Sequence, residues 1–416
     1  VRRHVRATMG FRGQDFAFSS PDDAIAAMSA RIGRASSESI PAAAARGRIL
    51  AQDIAADRDS PAFDYSAMDG FAARAADAGG EDLPVCGESR IGNPPPHLPE
   101  SRAAIRVATG SAIPPGADCV IRREDVREIT DGRTTRIAFE AARPRPGDHI
   151  RRRAENARSG DILLDRGTAI TAPALGVLAS VGVIEVHLFR RVRVALITTG
   201  DELVPPDHPP GPFALRNSNA PALTAALASR AWIEMRTIRH ARDDAPTVAG
   251  ALRAALEDAD AVVLTGGVSM GHRDPVRDAV NDAGAAIIFH GLPQRPGKPM
   301  LGAVTPSGRA VFGLPGNPVS ALVTCTRLVL PALSAFAGAT SVAPAPRVPL
   351  ANPDGKALDL WWHRLVRLNA AGEAELIDGR GSGDLIAAGR SGGFIEVPPR
   401  SPATAQSLFH HYPWPS

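Results

Sequence analysis

From Val192 onward, short apolar runs alternate with helical stretches, and this alternation constrains the fold more than any other feature. The spacing predicts strands over 192–197, 232–238, 261–264, 285–289 and 310–314. It predicts helices over 220–230, 246–257, 275–283 and 317–336. Strands that are apolar along their whole length must be covered on both faces. Alternation with helices supplies that cover, giving a doubly wound, mostly parallel sheet. In such a sheet ligands bind beyond the carboxyl ends of the strands. Five loops therefore become candidates: Thr198-Thr-Gly-Asp-Glu202, Arg242-Asp243-Asp244, Thr265-Gly-Gly-Val-Ser-Met-Gly-His-Arg-Asp274, Gln294-Arg-Pro-Gly-Lys-Pro299 and Gly313-Leu-Pro-Gly-Asn-Pro-Val-Ser320.

The remainder of the 416 residues reads differently, and a chain of this length suggests about three domains. Apolar residues recur at helical spacing over 22–34, capped by Ser20 or Asp22, and a second helix is expected over 39–54. Residues 57–69 form a loop rich in Pro, Asp and Ser. Short alternating runs between turn signals over 70–149 predict a small β-rich domain. A helix is expected over 173–181, a Pro-rich linker over 342–349, and extended structure over 351–397. In that last stretch Trp361, His363, Leu365 and Arg367 would face one way, with Trp362, Arg364, Val366 and Leu368 facing the other. The fold class is thus α/β multidomain, with a small C-terminal β domain.

Composition excludes several functions. The net charge of +3 gives no general nucleic-acid footprint. The three cysteines, Cys86, Cys119 and Cys325, are far apart, which fits a reducing cytoplasm rather than a disulfide framework or a zinc site. The longest uncharged run, 328–346, is broken by prolines, so no membrane span is expected. The Arg-rich residues 1–13 lack an apolar segment and read as a tail rather than a secretory signal.

The candidate loops pair glycine with hydroxyl, acidic or basic groups. Thr199, Gly200, Gly266, Gly267, Ser269, Gly316 and Asn317 would let a ligand approach the backbone closely and offer donors to phosphate oxygens. Carboxylates beside a phosphate repel it unless a hard cation lies between them. Glu202, Asp243 and Asp274 therefore suggest Mg²⁺, and Arg295 and Lys298 would hold an anion directly. Any one such loop is ordinarily a tight turn, and any one acid at a helix start is ordinarily a cap. Five at one sheet edge point to a nucleotide-like or phosphorylated ligand. Neither GxxxxGK[ST] nor GxGxxG is present, and no nucleophile elbow appears. Asp64-Tyr-Ser-Ala-Met-Asp69 reads on its own as a structural turn. Thr109 and Ser111 form an ambiguous hydroxyl pair. Arg151, Arg152 and Arg153 form a basic run that is either a solvated surface or an anion contact.

Taken together, Phe63-Asp-Tyr-Ser-Ala-Met-Asp-Gly-Phe-Ala72, Thr109-Gly-Ser-Ala-Ile-Pro114, Thr199-Gly-Asp-Glu-Leu203, Thr265-Gly-Gly-Val-Ser269, Arg295-Pro-Gly-Lys-Pro299 and Gly313-Leu-Pro-Gly-Asn-Pro318 resemble the molybdopterin molybdenumtransferase family, which includes bacterial MoeA and the gephyrin E domains. The resemblance implies Mg-dependent insertion of molybdate into adenylylated molybdopterin with release of AMP. It implies a cytoplasmic, elongated homodimer, with contact to a molybdopterin adenylyltransferase or to molybdoenzymes as a further expectation. Four domains follow: a helical linker domain (15–57 plus 150–190), a β-rich insertion (58–149), the α/β molybdopterin-binding domain (191–340) and a barrel-like C-terminal β domain (341–416). The implied active-site residues are Asp69, Thr109, Glu202, Asp243, Asp274, Arg295, Lys298 and Ser320, with Arg364 and Ser382 as molybdate contacts and Asp69 reaching across from the second protomer. Two departures from the family pattern are Asn156, where many relatives carry Asp, and Gly291, where many carry Lys. The related adenylyltransferase and a non-catalytic scaffold of the gephyrin type are the competing readings.

Overall fold

The computed structural model describes residues 10–11, 14–78, 81–140, 143–268, 274–340, 344–404 and 407–416. The chain forms two compact units, residues 1–52 with 166–175 and 184–416, and residues 53–165 with 176–183.

In the first unit the predicted alternation is realised. Strands β1 (Val192–Thr199), β2 (Ile233–Ala241), β3 (Ala261–Thr265), β4 (Ala286–His290), β5 (Leu301–Val304) and β6 (Ala310–Leu314) form one sheet in the order β2-β1-β3-β6-β5-β4. The pairings of β1 with β2, β1 with β3, and β3 with β6 are parallel. Those of β5 with β6 and β4 with β5 are antiparallel. Residues 305–309 between β5 and β6 are too few for a crossover helix, so a reversal is forced there. Alternate residues of β1 serve opposite faces. Val194 and Leu196 pack with helix α1 (Asn219–Ala228) and helix α4 (Pro318–Phe336). Ala195 and Ile197 pack with α2 (Ala245–Asp258) and α3 (Pro275–Asp282).

By length and mean hydropathy of 1.6, α4 could cross a membrane, but 78% of that stretch is buried inside the protein as its core helix. Residues Cys325–Val329 take π-type hydrogen bonding. The reason lies at Pro331, which has no N–H to offer the Arg327 carbonyl and whose ring would press on it. A wider turn just before it relieves the clash. Arg327 itself is 4% exposed. It donates to both Glu396 oxygens, at 2.7 and 3.2 Å, and to Asp22 at 2.6 Å.

The C-terminal stretch builds a six-stranded sheet from β7 (Arg347–Pro349), β8 (Trp361–Leu368), β9 (Ala374–Leu376), β10 (Gly393–Val397), β11 (Leu408–Pro413) and the short segment Gln294–Arg295. The last residues of the expected 342–349 linker are thus a strand. The predicted alternation of β8 is observed: Val366 and Trp362 pack in one cluster, Leu365 in another.

The helix expected over 39–54 is not formed. Ser37–Pro41 is a strand antiparallel to Glu185–Phe189, followed by a single 3-10 turn, Ala42–Ala44. Ile49 and Leu50 then bridge to Ala169 and Leu188. Alanine propensity over this stretch is overridden by pairing with residues far along the chain, which buries Ile49 and Leu50 almost completely. The first helix, Pro21–Ser29, is shorter than expected. Of its two candidate caps, Ser20 is the one used, accepting from the Asp23 amide at 3.1 Å.

The second unit carries the β-rich sheet, ordered Val126–Asp131, Thr134–Phe139, Leu83–Ser89, Ala104–Val107, Gly70–Ala73, Cys119–Arg122. Phe71, Leu83 and Ile137 are fully buried between its elements. Gly70 pairs with Arg122, and a Cβ there would sit 2.0 Å from the Ile121 carbonyl oxygen, so the Asp69-Gly70 step admits no larger residue.

Phe312, 1% exposed at the middle of β6, fills the α1–α4 side of the sheet. Phe312→Ala is expected to destabilise the protein by about 3–5 kcal/mol, read as a lowered denaturation midpoint in urea.

Candidate active site

Parallel pairing places Thr198 beside Thr265, and Thr265 beside Leu314, so the turns that leave β1, β3 and β6 stand level with one another. They surround a cavity of about 670 Å³ lined by Thr199, Gly200, Glu202, Asp243, Gly266, Gly267, Gly316 and Asn317. Gly266 has φ +90, and a Cβ there would lie 2.6 Å from the Thr199 carbonyl oxygen. A Cβ on Gly267 would lie 3.2 Å from Asp243 Oδ1, and one on Gly200 would lie 2.8 Å from both Glu202 carboxylate oxygens. The glycines therefore let the backbone run within contact distance of Thr199, Glu202 and Asp243, where a side chain would collide.

The adjacent aspartates of the second loop divide their work. Asp244 caps α2, accepting from the Thr247 amide at 2.9 Å. Asp243 faces the cavity, and its carboxyl is held above the usual carboxylate range by partial burial, then by the negative charges of Glu202 and Asp201.

Asp274 is used differently from the expectation. It caps α3, accepting from the Arg277 amide at 2.9 Å, and is 6% exposed. Burial raises its carboxyl, and its second oxygen lies 3.3 Å from His290 Nε2. It does not line the acidic cavity among the described residues. Nor do the described residues contain any group of three His, Cys, Asp or Glu side chains able to hold a metal by themselves. Of the expected trio of carboxylates, Glu202 and Asp243 line the acidic cavity, whereas Asp274 spends one oxygen on the start of α3 and keeps Oδ2 buried near His290 with no hydrogen-bond partner among the described residues. Ser269 lies outside the described residues.

The fourth loop lines a second cavity, of about 620 Å³, together with β8 and the start of α4. Arg295, Lys298, Lys356 and Arg364 lie around it with Ser320 and Ser382. Of these cations, Arg364 departs from expectation. Its guanidinium makes a bidentate pair with Asp354, 2.7 Å on each arm, and stacks on Trp362 at 4.1 Å. That pairing holds Asp354 well below the usual carboxylate range, so the charge of Arg364 is largely committed. Lys298 lies 5.7 Å from the Phe16 ring centroid. The two cavities share Pro299, Pro315 and Asn317 as a common wall. Asn317 Nδ2 donates to Ser382 Oγ at 2.8 Å, and the Val319 amide donates to the Ser382 carbonyl. Gly291, at φ +91, occupies backbone that a lysine would adopt only under strain.

In the second unit Asp69 and Thr109 are brought together. Asp69 Oδ1 accepts from the Thr109 amide at 2.8 Å and from its hydroxyl at 3.0 Å, which lowers the Asp69 pKa. Met68, next to it in the chain, and Phe63, earlier in the same segment, are 41% and 49% exposed. The basic run is spent on ion pairs: Arg151 with Glu155, Arg152 with Asp64, and Arg153 with Asp59. Asn156 accepts from Arg151 at 3.1 Å.

Sequence reasoning missed Asn219, which donates to the Gly316 carbonyl at 2.7 Å and to Thr265 Oγ1 at 3.0 Å, tying the third loop to the fifth. It also missed Asp354, the partner of Arg364, and gave no role to Gln294 within the fourth loop. An Asn ahead of a helix reads as a cap, and nothing local shows that its side chain spans two loops.

Comparison with known proteins follows this geometry. The MoeA N-terminal region (domain I and II) matches residues 19–182, and a probable molybdopterin binding domain matches 195–335. The molybdopterin molybdenumtransferase of Haemophilus influenzae is 36% identical over 296 residues, 71% of each chain. Molybdopterin molybdenumtransferase 2 of Mycobacterium tuberculosis is 33% identical over 304 residues, 71% of this chain and 74% of that one. A crystal structure of the molybdopterin biosynthesis MoeA protein from Pyrococcus horikoshii OT3 superposes with a TM-score of 0.75 at 25% identity, covering 95% of this chain and 98% of the other. With the level glycine turns, the paired carboxylates and this extent of similarity in hand, the chain belongs to the molybdopterin molybdenumtransferase family.

Proposed function

We propose that this protein inserts molybdate into adenylylated molybdopterin with release of AMP, completing molybdenum cofactor biosynthesis in the cytoplasm. The observation that carries the reading is the pair of adjoining cavities, one acidic and glycine-lined, the other cationic, with Asn317 in the wall between them. A diphosphate and a tetrahedral dianion are the two species the reaction must bring together, and each finds suitable chemistry on its own side of that wall.

On the acidic side, Gly200, Gly266, Gly267 and Gly316 let the diphosphate approach the backbone. The donors there suit Mg²⁺. Partial burial, and after it the charges of Glu202 and Asp201, raise Asp243, and one or two carboxylates plus phosphate oxygens is the set this ion prefers. When bound, Mg²⁺ would neutralise phosphate charge and ease departure of AMP. Asp274 fixes the start of α3 beside this edge. On the cationic side, Arg295 and Lys298 neutralise the oxyanion, while Ser320 and Ser382 offer hydroxyls. Ser382 is kept beside the fifth loop by its bonds from Asn317 and Val319.

The working form is a homodimer of four-domain protomers, divided at 15–57 plus 150–190, 58–149, 191–340 and 341–416. Asp69 and Thr109 of one protomer act with Glu202 and Asp243 of the other. The exposed Phe63 and Met68 of the segment that carries Asp69 suit burial against a second copy.

Incubation with adenylylated molybdopterin, molybdate and Mg²⁺ is expected to yield molybdate-dependent AMP. Glu202→Gln or Asp243→Asn is expected to lower the rate by about 10²-fold. AMP release without dependence on molybdate would refute the assignment. Mixed dimers of Asp69→Asn and Glu202→Gln protomers are expected to recover part of the activity that each homodimer lacks.

A charge prediction follows from Asp243. Its folded pKa is raised, so the folded protein holds that proton more tightly than the unfolded chain does. The ionised carboxylate therefore opposes folding above the folded pKa, and the effect vanishes below the unfolded value of about 3.9. In Mg²⁺-free buffer at neutral pH, Asp243→Asn is expected to raise the thermal midpoint. The difference should close as pH falls through the carboxylate range, as followed by calorimetry.

A further inference from the structure

Strand β2 stands at one edge of the central sheet, and among the described residues β1 is the only strand paired with it. Residues 234–241 make no backbone–backbone hydrogen bond outside that pairing among the described residues. The Arg239 carbonyl is turned toward β1, where it accepts from the Thr198 hydroxyl at 3.4 Å. Successive residues of a strand direct their backbone groups to alternate sides, so the N–H and C=O of Ile238 and His240 point to the open side. Unpaired groups of this kind are a template for a further strand. Bulges blunt such edges, and β2 has one, where its register with β1 shifts between Met235 and Thr237. Beyond the shift, residues 237–241 run beside β1 without interruption.

The same stretch borders a notch of about 220 Å³, formed with Leu203, Pro206 and Ala220. Ile238 lines it and is 49% exposed. The polar side chains around the notch are engaged with one another. Asn217 Nδ2 donates to Thr198 Oγ1 at 2.8 Å, and that hydroxyl lies 3.2 Å from His240 Nδ1. The notch therefore suits an apolar side chain. Charge along the edge is basic. Glu234 and Asp258 are both committed to Arg236, whereas the exposed Arg239 has no ion-pair partner among the described residues. Arg242, also exposed, has Asp201 at 3.7 Å. Antiparallel pairing with a second copy would set these arginines against their counterparts, and like charges on paired strands destabilise a sheet. We propose that residues 237–241 dock an extended acidic segment of another protein, which adds as a strand beside β2 and seats one apolar side chain in the notch. Backbone bonds supply affinity in such an arrangement, while the notch and Arg239 select the sequence.

The test uses the full-length protein and a fluorescent peptide in which Glu alternates with Val around one central Phe. By anisotropy, this peptide is expected to bind at least about tenfold more tightly than its counterpart with Lys in place of Glu. Methylation of every second backbone nitrogen of the peptide removes strand hydrogen bonds without touching the protein. It is expected to weaken binding at least about tenfold in one of the two possible phases. Arg239→Glu should bring the acidic and basic peptides to parity or reverse their order. Hydrogen exchange of the unaltered protein locates the contact even where that variant fails to fold. Slowed exchange at Ile238 and His240 on peptide binding supports the proposal, and protection confined to other residues overturns it. Failure of the acidic peptide to bind, equal binding of the two peptides, or indifference to methylation in both phases also overturns it. Concentration-dependent self-association that protects 237–241 without peptide binding assigns the edge to a second copy and overturns it as well.

Discussion

The register of β1, β3 and β6 is the constraint on which the rest depends. Thr198, Thr265 and Leu314 sit side by side, so three chain segments leave the sheet at one level and turn through glycines around one space. A slip of one residue in any of these pairings would exchange the faces that α1 and α2 cover and would also stagger the turns. Burial of Val194, Leu196, Val263 and Phe312 on one face, and of Ala195, Ile197, Val262 and Val311 on the other, holds that register. The same packing that stabilises the sheet therefore sets the geometry of the acidic cavity.

A buried ionic cluster does comparable work for the cationic cavity. Arg327 on α4 meets Glu396 on β10, and Glu396 meets His363 on β8, with Tyr412 of β11 under the guanidinium at 5.1 Å. Removing one partner from such a cluster strands a charge in a low-dielectric interior, typically at a cost of about 3–5 kcal/mol. The cluster thus orients β8, whose residues form one side of the cavity, against the helix whose first turn forms another. The parallel pairing of Gln294–Arg295 with Trp361–Trp362 joins the fourth loop to the same sheet. That loop connects β4 to β5 of the central sheet, yet it carries its cations into a cavity shared with the C-terminal strands.

Much of this was legible in the residues. The α/β alternation, the five loops and the acidic and basic character of particular loops are local properties, and the structure realises the alternation almost element by element. The failures share a cause. The 39–54 stretch reads as helix because alanine is a strong helix former, but its partner strand lies about 145 residues away and is invisible to any local window. Asp274 looks like Asp243 in a sequence, each lying in a loop that leads into a helix. Only the folded chain shows that Asp244, not Asp243, caps α2, whereas Asp274 itself caps α3.

The sequence by itself determined which strands are buried on both faces, which turns need glycine, and which loops carry charge, because periodicity and backbone freedom are written residue by residue. Only the tertiary structure decided how those charges are spent. Arg364 is neutralised by Asp354, and the run Arg151–Arg153 by Glu155, Asp64 and Asp59. Pairing of this kind depends on distances between residues remote in the chain, and electrostatic energy follows distance and burial rather than order along the backbone.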